Sequence, residues 1–301
     1  MNQSFSNTIN FISSIITHCI IAHFALKSKV KHNSLEYSFI IFIYAKILPS
    51  LILLMKKMVI IMTIQKYILQ EYFELYMSDV EHLAPASVKK YVSAISKCSD
   101  FLRQKTMIKD TLYEVADITQ LKNLRDILLT DEEFYALNSR GNHMYSAGFN
   151  KYIKFAEGEN FEAINDAIAP LYKPFPKTKT PTLTSTAKWT RNHILRQQVI
   201  KLADYKCEIN PAHQSFIAEN TQKPYMEGHH AIPMKYQEHF SYSLDVYANI
   251  ICLCPICHRK IHYGLKNDRH EMMNQLYEQN SSKLIKSGIE FSKTEFANLD
   301  I

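Results

Sequence analysis

Four of the six cysteines and eight of the thirteen histidines lie between Ser185 and His270, and their spacing sorts them into two kinds of chemistry. Cys254 and Cys257 form a Cys-x-x-Cys pair within CLCPICH, the spacing of one half of a tetrahedral zinc site. The other half must lie upstream, where Cys207 opens the run CEINPAH without a second such pair. His213 is the expected fourth ligand, giving Cys₃His coordination, and Cys252 is the alternative. Cysteines crowded among histidines in this way indicate metal ligation in a reducing, cytoplasmic compartment and not a secreted disulfide framework.

The histidines suggest a second centre. His229 and His230 are adjacent in YMEGHHAIP, and on an extended strand successive side chains point to opposite faces, so the two can take different jobs. An imidazole has an ordinary pKa of about 6.5 and accepts a proton at neutral pH, which makes His230 the candidate general base. His258 and His262 are four residues apart, so on a helix they share a face and can converge on one ion. Glu227 precedes His229 by two residues, on the same strand face, where it can accept a hydrogen bond from a ligand imidazole.

Taken in order, CEINPAH, YMEGHHAIP and ANIICLCPICHRKIHYG resemble the HNH endonuclease family, and more closely its restriction-enzyme-like members. The resemblance spans Arg196 to Gly264 and includes the paired histidines, the asparagine and the closing His-x3-His. It implies that His229 is a metal ligand and His230 the base, and that His258 is both the last histidine of the signature and a ligand. Asn249 matches the middle residue, whose amide pins the loop carrying the base. His262 matches a further ligand found in the bacteriocin-type nucleases of the family. The same resemblance implies hydrolysis of DNA to 5′-phosphate and 3′-hydroxyl ends, in a restriction or defence role. Many relatives carry Asp where this chain has His229, and imidazole suits Mn²⁺, Ni²⁺, Co²⁺ or Zn²⁺ better than Mg²⁺. Two further readings compete with this one: a non-catalytic zinc module that binds DNA, and a membrane-attached nuclease. HNH domains often nick one strand each, so a double-strand cut requires a homodimer or two events.

These motifs need elements to position them. The expected architecture is α+β: a mainly helical N-terminal region, then a C-terminal ββα-metal domain with a zinc knuckle. In it, a short hairpin carries His229 and His230, and a helix carries His258 and His262. Residues 62–171 read as a helical domain that positions the nuclease on DNA. Within it Val88, Tyr91, Val92, Ile95, Cys98 and Leu102 recur at helical spacing, with Ser87 as N-cap. Ile118 to Leu137 and Met144 to Phe155 show similar periodicity. Residues 172–188 carry three prolines and no periodicity, which predicts a linker. The nuclease domain then occupies 189–265, entered by a helix from Trp189 to about Tyr205, and 266–301 form a charged helical tail.

The first 61 residues differ in character. Ile9–Leu26 and Ser38–Met55 are apolar runs of about the minimum length for a membrane span, the second interrupted by Lys46 and Pro49. Met55, Met58 and Met62 follow, so a start codon assigned too far upstream accounts for this leader. A membrane anchor is the alternative. Over the whole chain the composition is that of a globular protein, with a formal charge of +6 that is compatible with a polyanionic partner. Arg259 and Lys260, next to His258, are candidates for neutralising DNA phosphates.

Overall fold

In the computed structural model, residues 67–163, 172–177, 189 and 191–299 are described. The apolar leader lies outside them, as does most of the expected linker. No helix among the described residues is long and apolar enough to cross a membrane.

The helical region starts with α1 (Ile68–Leu75), which continues into one wide π-helical turn at Tyr76–Val80. Helix α2 (Pro85–Gln104) buries Ala94, Ile95, Cys98 and Leu102 along one stripe, as the periodicity predicts. Its N-cap is Ala84, not Ser87. Pro85 takes the first helical position, where its fixed φ suits the helix and its missing N–H costs nothing. The periodic stretch 118–137 is two helices, α3 (Ile118–Thr130) and α4 (Glu132–Arg140). The break falls at Asp131, whose extended backbone lets its carboxylate accept the Phe134 amide and start a new helix. Helix α5 (Met144–Ala156) crosses α2 closely: a Cβ on Gly148 would lie 2.5 Å from that of Ala94.

Helix α6 (His193–Leu202) is shorter than the sequence suggests. Asn192 caps it, accepting the Ile194 and Leu195 amides at 2.9 and 3.3 Å, so Trp189 and Arg191 precede the helix. Next come β1 (Glu227–His230) and β2 (Ile250–Leu253), antiparallel with His229 opposite Ile251 and His230 opposite Ile250. The strands are short but the hairpin is not tight. Residues 231–249 connect them through 3₁₀ turns at Met234–His239 and Tyr247–Asn249. Helix α7 (Pro255–Tyr263) follows at once, capped by the sulfur of Cys254 and begun by a proline at its first position. The α+β architecture of helical region, two-stranded sheet and following helix is therefore present. The charged tail forms α8 (Lys266–Lys286) and α9 (Lys293–Ala297), the latter held by a Ser292/Glu295 capping box.

One continuous buried cluster runs from Ile68 to Phe296 and includes both the helical region and the hairpin. Phe175, within the expected linker, is fully covered and packs edge-on against Tyr72. Helix α6 lies directly against β1, because Gly228 has no side chain. A Cβ there would approach the Arg196 backbone to 3.2 Å, and the Arg196 guanidinium donates to the Gly228 carbonyl at 3.0 Å. This close approach anchors the strand that carries both histidines.

Candidate active site

Two metal-competent clusters flank the hairpin. In the first, ligand atoms of Cys207, His213, Cys254 and Cys257 lie within 4.8 Å of one another. His213 Nδ1 is 3.7 Å from the Cys254 sulfur and 3.3 Å from that of Cys257. Tetrahedral bonds of about 2.0–2.3 Å to zinc place neighbouring ligand atoms roughly 3.3–3.8 Å apart, so the donor set and its spacing fit zinc. Amides stabilise negative charge on the sulfurs: Cys257 N–H donates to Cys254 Sγ at 3.4 Å. At Cys207, burial alone would raise the thiol pKa. Hydrogen bonds from the amides of Cys254, Asn210 and Ile209 and from His213 outweigh it and bring the pKa down to about 7. Cys252, the alternative ligand, is not part of this group, and burial raises its thiol pKa. Its strand instead ties the knuckle down, since Cys252 N–H donates to the Glu208 carboxylate at 2.7 Å. From the other side, Gln275 of α8 donates to the Ile209 carbonyl at 2.6 Å.

The second cluster joins β1 to α7. His229, His258 and His262 bring ring nitrogens within 4.8 Å of one another, with ring centroids 4.9–5.0 Å apart. His229 is buried and its Nε2 has no hydrogen-bond partner among the described residues. Leaving such an atom unmatched costs about 1–3 kcal/mol. Burial first, then the proximity of His258, His262, His230 and Arg191, hold its pKa well below the ordinary histidine value. A neutral imidazole with a buried, unmatched nitrogen, in a ring grouped with two others, is the form that ligates a cation, so these residues fit a divalent metal. Glu227 pairs with Nδ1 of His258 and also receives the Tyr225 hydroxyl at 3.3 Å. That contact orients the His258 ring and leaves its Nε2 for the cluster.

His230 sits next to His229 but makes a different set of contacts. Its Nε2 is 2.8 Å from Oδ1 of Asp245, and both side chains are almost fully buried. The second oxygen of Asp245 accepts the backbone N–H of Asn192 at 2.8 Å, and its own amide donates to Ser243 at 3.1 Å. Asn249 bridges the connecting segment. Its amide oxygen accepts Ile232 N–H at 2.8 Å, and its amide nitrogen donates to the carbonyls of Ile232 and Leu244, each at 2.9 Å. Its own carbonyl accepts Ala231 N–H at 2.8 Å, so one residue ties both ends of the segment after the histidine pair.

Arg259 and Lys260 lie on the outer face of α7, exposed beside Ile256 and Tyr263, while Cys257, His258 and Ile261 face inward. Lys260 is 3.6 Å from the Asp268 carboxylate. Sequence patterns alone miss Asp245 and the group behind it. Tyr247 donates its hydroxyl to Gln198 at 2.6 Å, and Gln198 in turn donates to the Phe155 carbonyl at 2.6 Å. A lone acid within the apolar run LDVYANIICL, four residues before Asn249, is the available signal for Asp245.

Residues 213–264 match the HNH endonuclease family. The chain is also 41% identical over 58 residues to the type IV methyl-directed restriction enzyme EcoKMcrA of Escherichia coli (strain K12). That match covers 19% of this chain and 18% of the relative, so the similarity is one of a domain and not of whole proteins. Paired histidines on a strand, an asparagine that ties the connecting segment, and a helix returning two more histidines lie within the matched residues. Residues 213–264 of this chain thus form a domain of the HNH endonuclease family.

Proposed function

We propose that this protein is a divalent-metal-dependent endonuclease that hydrolyses DNA phosphodiester bonds, of the restriction type. The observation that carries the reading is the convergence of ring nitrogens of His229, His258 and His262, together with a buried, unmatched Nε2 on His229, one residue from His230. His229, His258 and His262 would hold the cation, which supplies charge neutralisation at the scissile phosphate and the leaving 3′ oxygen. His230 takes the proton from the attacking water. Asn249 keeps the segment that follows His230 in register, and Glu227 orients His258. The exposed Arg259 contacts the DNA backbone beside the cut and reads no sequence. Cys207, His213, Cys254 and Cys257 would bind a structural zinc, which cross-links the knuckle loop to α7 in a segment with little core of its own. The all-histidine donor set favours Mn²⁺, Ni²⁺, Co²⁺ or Zn²⁺ over Mg²⁺. The relative is methyl-directed by name, so methylated DNA belongs among the substrates tested.

Supercoiled plasmid, unmethylated and methylated, is incubated with protein and Mg²⁺, Mn²⁺, Co²⁺, Ni²⁺, Zn²⁺ or EDTA, with His230→Ala alongside. Nicking or linearisation that requires a metal and disappears in the variant is the expected result. A folded, zinc-loaded protein that cleaves neither plasmid with any of the metals would reject the reading.

A further inference from the structure

Asp245 meets His230 in a way that restricts where the imidazole can carry its proton. The carboxylate has two oxygens, and among the described residues each has one partner. Oδ2 accepts the backbone N–H of Asn192 at 2.8 Å, a group that can only donate. Oδ1 lies 2.8 Å from Nε2 of His230. An ionised carboxylate only accepts, so the ring nitrogen facing it must be the protonated one. We propose that Asp245 is a positioning residue that holds His230 as its Nε2–H tautomer, leaving the lone pair of Nδ1 free to take a proton from water. This rests on the reading of His230 as the general base.

The consequence for the reaction is direct. As the oxygen–phosphorus bond forms, the water proton moves to Nδ1, and the phosphorus–O3′ bond breaks with its electron pair leaving on O3′, which takes a proton from solvent to become the 3′-hydroxyl. The ring becomes an imidazolium whose Nε2–H still points at the Asp245 carboxylate, so the new positive charge forms beside a fixed negative one. Asp245 is itself held on three sides: by Asn192, by its own amide on Ser243, and by burial to 3% exposure. The loop therefore cannot swing the carboxylate away without breaking its hydrogen bond to the partly buried Asn192 N–H. Asn192 is also the N-cap of α6, so the tautomer is set by a helix end and not by the strand that carries His230.

The same geometry makes Asp245→Asn informative. The Asn192 N–H still requires an acceptor, so the oxygen of the new side-chain amide turns toward it and the –NH₂ faces His230. Nε2 must then accept, and the proton moves to Nδ1, where it blocks the base. The shape of the site is kept and its proton is misplaced. An orienting carboxylate changed to its amide costs up to about 10⁴-fold in kcat in triad enzymes.

The test uses full-length, zinc-loaded protein labelled with [¹⁵N]histidine, with His230→Ala to assign the ring and as the activity control. In the wild type, long-range ¹H–¹⁵N spectra should show His230 Nε2 protonated and Nδ1 bare. In Asp245→Asn the two should exchange character, with kcat lower by at least about 10²-fold and KM within about twofold. A wild-type ring protonated on Nδ1 overturns the proposal, and this measurement decides the matter even if the variant does not fold. Cleavage abolished by His230→Ala but unchanged in Asp245→Asn overturns the tautomer role alone. Cleavage that survives His230→Ala overturns the base assignment beneath it.

Discussion

Tyr72 of the first described helix and Tyr247, two residues before Asn249, stack face to face with ring centroids 4.1 Å apart and 11° between their planes. Both rings are buried, and Tyr247 N–H reaches the Tyr72 hydroxyl at 3.5 Å. The N-terminal helices are thus part of the support for the segment that carries Asn249. Tyr72→Ala should cost about 3–5 kcal/mol through the cavity it leaves. Tyr72→Phe keeps the stack and should cost only about 0.5–1.5 kcal/mol. Urea denaturation of the two variants provides the comparison. Equal, small losses would mean that the stack does not couple the two regions.

Asn249 makes three side-chain hydrogen bonds in a fully buried position. Asn249→Ala strands one amide and two carbonyls that have no access to water. The expected loss is about 2–4 kcal/mol of stability, with the segment 231–245 becoming the first site of proteolytic cleavage. Asn249→Asp should also fail, because a carboxylate cannot donate to the Ile232 and Leu244 carbonyls. Limited proteolysis followed by mass spectrometry would identify the cleaved segment. Cuts elsewhere would show that Asn249 does not secure this one.

The two metal-competent clusters are separate sets of side chains, so each should be removable without the other. His229→Ala should lower affinity for the active-site cation while the structural zinc remains. Cys257→Ala should release zinc and unfold the knuckle, because ligand binding and folding are one process in so small a segment. Metal content by mass spectrometry after dialysis, together with thermal melts, distinguishes the two. Loss of both metals from His229→Ala would contradict the assignment. Cys252→Ala should keep the zinc, since Cys252 stands outside the ligand group.

Arg259 is exposed on the outer face of α7, whereas the neighbouring Lys260 faces Asp268 at 3.6 Å. Arg259→Ala should weaken DNA binding uniformly across sequences and reduce the slope of log affinity against log salt by about one. Lys260→Ala should change it less. Fluorescence anisotropy over a salt series measures both slopes, and an unchanged slope for Arg259→Ala would remove it from the DNA contact surface.

Much of the candidate site was legible because its residues are close together in sequence or at periods that map onto simple geometry. A Cys-x-x-Cys pair, two adjacent histidines on a strand and two histidines one helical turn apart all carry their arrangement with them. The helix stripe around Ile95, Cys98 and Leu102 was readable for the same reason. Helix ends were less so. Pro85 displaced the expected cap, Asp131 split one periodic run into two helices, and Asn192 delayed the start of α6, since capping depends on backbone angles that periodicity does not encode.

The sequence alone determined the residue types of both clusters, their order, and the family they resemble, because ligand chemistry depends on local spacing. Only the tertiary structure decided that His213 and not Cys252 joins the three cysteines, and that Asp245 is the partner of His230. It also decided that the distant helices press Tyr72 onto Tyr247. Each of these depends on chain segments well separated in sequence meeting in a buried space. Which groups meet there is set by packing and by the need to match every buried donor and acceptor, and no local pattern records that.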